Sequence, residues 1–332
     1  MLVWREGLPV LRYVVLLCAF CGSCVVVRAC DSCRSSVGDP ESGGSVGLTA
    51  GVLEDGRRWS LDTTFEYRNW DRINPGRALA INLLPNGHTH SIQDEWFAAV
   101  RVGYSVSDSV AVGISQNYRH LRDVNVNDPL LLGNHRVAQG FGDLELDAKW
   151  RFKGQEDNGF PVDLSLFGTL KLPTGKTTER QPDGIPFDAE DQPGSGSFDG
   201  TLGLAASRRW GDWGASGAVA FTLKGEGTQE FKAGDVFRVS LSTARKLPYE
   251  PCGCKLYVSL GMQGLVEFKA RQDGEIDRNH GGQTIYAIPG ISAKPIDRLT
   301  LSTSFQLPVY QELNGFHQKQ DFGIQFGVSI RF

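Results

Sequence analysis

Between Asp143 and Arg151 every second residue carries a charge: Asp143, Glu145, Asp147, Lys149 and Arg151. Leu144, Leu146, Ala148 and Trp150 fill the gaps, and Phe152 follows. In an extended chain successive side chains point to opposite faces. The run therefore sets five charges on one face and apolar groups on the other. Taking charges out of water costs on the order of several kcal/mol per ion, so this face belongs against bulk water or a wet interior. The same parity turns Asp62, Glu66 and Arg68 inward, then Arg101 and Arg119. Asp163 and Lys171 follow, and after them Arg238, Lys246 and Glu267. Both signs are present, which leaves two readings. The charges pair across an interior and close it, or they line a pore of weak sign selectivity.

Other residue types offer less. The six histidines, His88, His90, His120, His135, His280 and His317, fall in polar loops or at a strand's outer end. His88-Thr89-His90 places two imidazoles on one side of an extended segment, a spacing able to hold a metal. Solvated loop histidines are the commoner outcome, and no cofactor is expected. His120 closes an outward face behind Gln116 and Tyr118, at the rim where a barrel lipase would set a Ser–His pair. Its own strand carries no outward serine. Gly194-Ser195-Gly196 precedes a strand instead of joining strand to helix, which excludes a phosphate-binding loop.

Cysteine spacing points to one compartment. Cys18, Cys21 and Cys24 lie in an apolar leader, and Cys30, Cys33, Cys252 and Cys254 remain after it, an even number suited to an oxidising space. Strand counting puts Cys252-Gly253-Cys254 in a turn on the same side of the membrane as Cys30 and Cys33. A disulfide tether between the two places is expected. A metal shared by the four thiols, two local pairs or free thiols are the alternatives, and Cys30 leaves the scheme if it is lipidated.

The elements that position these groups read as strands throughout. Arg5 and Arg12 precede a short apolar core, Tyr13 to Val27, and Val27-Arg28-Ala29 offers a cleavage site, so residues 1–29 read as a signal peptide. Residues 30–58 are Gly-, Ser- and Asp-rich and read as a periplasmic segment. From Trp59 onward alternation dominates. It is clearest at the end, where Phe322, Ile324, Phe326, Val328, Ile330 and Phe332 alternate with Gly323, Gln325, Gly327, Ser329 and Arg331. No apolar run after the leader is long enough for a membrane helix. The 40 glycines and 2 methionines favour turns and small interior positions. A net charge of -4 gives no long-range pull toward nucleic acid.

About twelve strands emerge between residues 59 and 332, joined by turns that alternate in length. Connections near 107, 156, 211, 251 and 296 are short, and those near 80, 130, 185, 230, 276 and 315 are longer and more polar. Trp59, Tyr67, Trp96, Tyr104, Tyr118, Trp150 and Trp213 fall near strand ends on outward faces, as headgroup-level rings do. The expected fold is all-β: a transmembrane, antiparallel, up-and-down β-barrel in the bacterial outer membrane, with lipid as its surroundings and both termini periplasmic.

Three stretches carry a family resemblance. Leu172-Pro173-Thr174-Gly175-Lys176 and Gln192-Pro193-Gly194-Ser195-Gly196-Ser197-Phe198-Asp199-Gly200 resemble a strand–loop–strand signature. Leu307-Pro308-Val309-Tyr310-Gln311-Glu312-Leu313-Asn314-Gly315 is similar to a penultimate strand end of the same proteins. They are the outer-membrane proteins catalogued under the MetA pathway of phenol degradation, and the resemblance spans roughly Trp59 to Phe332. It implies a barrel and suggests a transporter-like role, and it carries no catalytic residues over to this chain. The terminal Phe332 resembles the aromatic ending read by the barrel-assembly machinery. The expected function is a channel for small solutes, hydrophobic or aromatic compounds among them. A rim-active lipase and a non-conducting structural barrel are the competing classes.

Overall fold

The computed structural model describes residues 58–71, 92–122, 124, 136–154, 161–315 and 318–332. The leader, nearly all of the 30–58 segment, Cys30, Cys33, and the histidines at 88, 90, 135 and 317 lie outside them.

The described residues form sixteen strands, and most of them make one closed ring. The first six are β1 (Trp59–Trp70), β2 (Asp94–Ser105), β3 (Val110–Arg122), β4 (Val137–Phe141), β5 (Leu144–Lys153) and β6 (Asp163–Leu172). Then come β7 (Asp199–Trp210), β8 (Trp213–Leu223), β9 (Phe231–Lys232), β10 (Val236–Lys246) and β11 (Lys255–Glu267). The rest are β12 (Arg271–Gln272), β13 (Glu275–Ile276), β14 (Gly282–Ile296), β15 (Leu299–Leu313) and β16 (Gln320–Arg331).

Each long strand pairs antiparallel with its neighbour in sequence, and β16 returns to pair with β1 from Ser60↔Arg331 to Trp70↔Gln320. β4 and β5 run in line along β3, parted only at Gly142 and Asp143. Counted as one, they bring the ring to twelve staves. The Asn117 amide, which donates to the Asp143 carbonyl at 3.1 Å, fills this break. The short strands β9, β12 and β13 form a separate three-stranded sheet beyond the strand ends.

Two boundaries differ from the sequence reading. Residues 137–140, expected inside a loop that ends near Gly140, belong to β4, because the β3 edge from Tyr118 to Arg122 is long enough to pair with both halves of the stave. Lys294, Pro295 and Ile296 were expected in a turn, but β14 runs on through them. Irregular pairing carries β14 past Ala293 to Ile296↔Leu299, so Pro295 sits where no ladder bond is lost.

The two faces separate sharply. Outward positions are apolar and exposed, with Leu202 and Ile291 near 60 %. The inner face buries polar groups instead: Ser60, Glu66, Arg68, Ser240, Gln263 and Gln306 are all at or below 1 % exposure. So large an apolar belt is unstable in water, and hydrocarbon is the solvent that fits it. Ring contacts gird the same face: Trp59 on Tyr104 at 4.7 Å and Tyr67 on Trp96 at 4.8 Å.

Leu204, half exposed in the middle of β7 between Leu166 and Val219, tests this polarity. Leu204→Arg is expected to destabilise the barrel in bilayers by about 2–4 kcal/mol, as a cation near the midplane does. Denaturant unfolding in liposomes measures it; an unchanged midpoint would place this face against water.

Candidate functional site

The site is the barrel's interior and the loop drawn across it. On one wall Arg101 of β2 reaches over β3 to Asp147 of β5, donating from Nε to Oδ1 at 2.9 Å and from an Nη to Oδ2 at 2.7 Å. It also meets Asp62 of β1 at 3.2 Å. Such a span is possible because the positions beneath the guanidinium are Gly103 and Gly113. A Cβ on either would lie 2.6 Å or less from it. Asp62 in turn accepts from the Ser329 hydroxyl at 2.6 Å, so one arginine ties four neighbouring staves to the closing strand.

Nearer the looped mouth a second set of charges is largely enclosed. Arg68 donates to Glu66 at 2.7 Å and lies 3.9 Å from Glu95, which also meets Arg119 at 3.3 Å. Lys171 of β6 lies 3.1 Å from Asp143 and 2.8 Å from Asp199, and Lys224 meets Asp199 at 3.0 Å. Glu145 lies opposite Lys171 and Ser115 in register.

Asp143 roots the loop between β6 and β7. Its carboxylate accepts from the Gly175 N–H at 2.8 Å, the Ser195 N–H at 2.9 Å and the Ser195 hydroxyl at 2.6 Å. The two ends of the loop thereby meet on one side chain. They touch as backbones: a Cβ on Gly194 would fall 2.5 Å from Gly175, and one on Gly175 would fall 2.6 Å from Gly194. This close approach is why both motif stretches need glycine there.

From that root the loop runs over the mouth. Phe187 is fully buried against Leu121, Val124 and Ala138, and Ile92 packs on the cluster. The Arg119 guanidinium donates to the carbonyls of Glu190 at 3.1 Å and Gln192 at 2.8 Å. On the other side the Gln229 amide donates to the Phe187 carbonyl at 2.8 Å, and the Glu190 carboxylate pairs with His280 just ahead of β14. Around the ring β3 and β14 are five staves apart one way and seven the other. Residues 187–192 therefore bridge nearly opposite walls.

His280 corrects the expectation of a solvated loop histidine. It is 6 % exposed, held by Asp277 at 2.8 Å as well as by Glu190, with Phe231 against its ring at 5.5 Å. Burial pulls its pKa down, but the two carboxylates outweigh it and carry the imidazolium up to about 9. His120 stays on the outside and bonds the Gln139 amide oxygen at 3.0 Å.

The remaining charges named from sequence occupy the inner wall apart from the loop's root. Lys149 lies opposite Ala111 and Phe167, and Arg151 pairs with Asp163 at 3.7 Å. Arg238 stands opposite Ala220, Lys246 pairs with Glu250 at 2.8 Å, and Glu267 stands opposite Val236 near the mouth. Cys252 and Cys254 flank Gly253 in a turn, and neither is in a disulfide among the described residues. Burial, with the Cys252 thiol beside it, pushes Cys254 above the usual thiol range.

Parity also gives residues that the sequence reading passed over. Glu95, Asp199, Arg209, Lys255, Lys294 and Arg331 fall on the inner face, as do the buried rings of Phe97, Phe167, Tyr257 and Tyr286. Strict alternation through each strand would have found most of them. The apolar ones were hidden because an inward ring breaks the pattern of a polar interior.

Against solved structures the chain aligns over 84% of its length with the COG4313 outer membrane channel from Pseudomonas putida F1, covering 99% of that chain at a TM-score of 0.59 and 14% identity. The fold is that of an outer-membrane barrel. The β domain of the Bordetella autotransporter BrkA aligns over 83% of the chain and 100% of its own, at 0.48 and 12%. The NanC porin aligns over 82% and 100%, at 0.47 and 8%. No family model matches the sequence, and no curated protein does.

His280 supplies a test of the loop's anchorage. Its folded pKa lies above the ordinary 6.5, so the contact contributes full stability below about pH 6.5 and loses it as pH rises through about 9. An NMR titration of this imidazole is expected to show a midpoint near 9, moving down in Glu190→Gln. A midpoint at 6.5 or lower in the unmutated protein would mean that the loop is not held there.

Proposed function

We propose that the protein is an outer-membrane channel for small solutes, with hydrophobic or aromatic compounds as its preferred cargo and both termini in the periplasm. The observation that carries the reading is the closed ring of twelve staves, apolar outside and polar inside, with one loop anchored across its mouth. Twelve strands enclose more than the side-chain-filled interior of an eight-stranded barrel and less than the channel of the large porins. A loop tied to opposite walls then sets the size limit. Support for apolar cargo comes from the inner wall itself. Val236, Leu265, Tyr286 and Ile288 form a buried cluster on β10, β11 and β14, and the Tyr286 hydroxyl donates to Gln320 at 3.0 Å. The patch holds one aromatic ring among aliphatic side chains and is buried as packed, so a flat apolar solute would reach it by displacing what covers it.

A second reading, a structural barrel that passes nothing, is favoured by the density of the Arg101 and Lys171 networks. Liposome swelling separates the two. Proteoliposomes are expected to swell in small sugars and to take up phenol-sized neutral aromatics faster than sugars of equal mass. Swelling no faster than in protein-free liposomes for every solute would establish the plugged barrel.

A further inference from the structure

Residues 187–192, the strap across the mouth, are held by contacts of different kinds at their two sides. Toward β3 the hold is apolar, or made by an arginine that stays charged at any working pH. Phe187 is buried against Leu121, Val124 and Ala138, and Arg119 donates to the Glu190 and Gln192 carbonyls. The Gln192 amide ties the strap together, donating to the carbonyls of Glu179 at 3.0 Å and Phe187 at 2.9 Å. Toward β14 the Glu190 carboxylate meets His280, and that contact depends on a proton. The Gln229 amide also reaches the Phe187 carbonyl from this side at 2.8 Å. A neutral hydrogen bond of that kind has roughly half the strength of a charge-assisted one.

His280 itself is fixed in place. Asp277 accepts from its Nδ1 at 2.8 Å, and the other oxygen of that carboxylate accepts from the Asn279 N–H at 2.8 Å. The Asn314 amide donates to the His280 carbonyl at 3.0 Å. Gly281, next in the chain, has a φ of +88° and lies so near β11 that a Cβ would fall 2.6 Å from the Glu267 carbonyl. The imidazolium thus presents Nε2 to Glu190 and Nδ1 to Asp277. A neutral imidazole keeps only one of its two protons. Its other nitrogen then turns a lone pair on a carboxylate, and that contact is repulsive. Asp277 belongs to the same connection as His280 and stays, whereas Glu190 rides on the strap and leaves. The further charges around the site are Glu267 of β11 and Lys224 beyond β8. Ionised Glu267 repels Glu190 and attracts His280 and Lys224.

We propose that the strap is a one-sided gate, hinged on the Phe187 cluster and Arg119 beside β3, with the His280–Glu190 contact as its catch. The catch holds in acid and at neutral pH, and the strap swings away from β14 when His280 loses its proton. Burial lowers the imidazolium's pKa, but Glu190 and Asp277 outweigh it and raise it to about 9. The contact is therefore complete below about pH 6.5 and is lost as pH rises through about 9. A segment packed at one side and held through a proton at the other is a two-state element that pH biases. The inference rests on the channel reading for what is gated, but the movement of the strap does not depend on it.

Two readouts on the full mature barrel test the gate, with Glu190→Ala and His280→Ala checked for folding by heat-modifiable gel migration. The first is the open fraction in planar bilayers between neutral and strongly alkaline pH. The unmutated barrel is expected to open several-fold more often in alkali, with a midpoint near 9. Both variants should open that often already at neutral pH and show no such step. The second is the distance between spin labels at Ala189→Cys on the strap and Glu275→Cys on β13, with the native cysteines replaced by serine. One narrow distance at neutral pH is expected, and a longer, broader distribution in alkali or in Glu190→Ala. If the barrel conducts without the step, or keeps the same step in both variants, the gate falls and the channel stands. If it conducts nothing, the channel reading falls, and label movement upholds the gate. A distance unchanged by pH and by Glu190→Ala overturns the gate whether or not the barrel conducts.

Discussion

A strand in hydrocarbon cannot leave its backbone N–H and C=O groups unpaired, because no water is there to take them. A sheet therefore has to close on itself, and in this chain the seam lies between the first strand and the last. Trp59 and Phe332 exchange both of their backbone hydrogen bonds at 3.0 Å, and the ladder continues for the length of β1 and β16. Closure fixes the rest. Every strand acquires an outer face that meets lipid and an inner face that meets the lumen, so a period of two in the sequence is imposed along each strand of the ring.

The inner face then has its own problem, the enclosure of charge. Breaking a buried pair by removing one partner costs roughly 3–5 kcal/mol, so the enclosed groups share partners instead of pairing singly. Arg101 serves two carboxylates, Lys171 serves two, and Asp199 receives two ammonium groups. Glycines provide the floor on which the long side chains lie. Where the networks crowd toward the loop they fasten it to the wall.

What the sequence disclosed follows the same division. The alternation from Asp143 to Arg151 and from Phe322 to Phe332 is a local property, because side-chain parity needs no knowledge of the partner strand. Strand number, ring order and the inward charges were legible on that basis. Lys294 was misplaced because Pro295 reads as a turn unless the irregular pairing with β15 is known. Asp143 was visible as an inward carboxylate, but its donors Gly175 and Ser195 lie 32 and 52 residues away. Nothing local reveals that a polar, Gly- and Pro-rich loop folds over the lumen instead of into solvent. His280 shows the same limit, since its environment is assembled from three connections that meet only when the ring closes.

We propose that the lumen is a conduit and that the loop between β6 and β7 sets its width. Single-channel conductance of the unmutated barrel, compared with a variant in which residues 177–191 are replaced by a short Gly-Ser linker, addresses it directly. Both glycine contacts at the root and the Asp143 anchor remain in that variant. The account predicts a small, steady conductance for the natural loop and a conductance several-fold larger without it. Equal conductance in the two, or none in either, would contradict it.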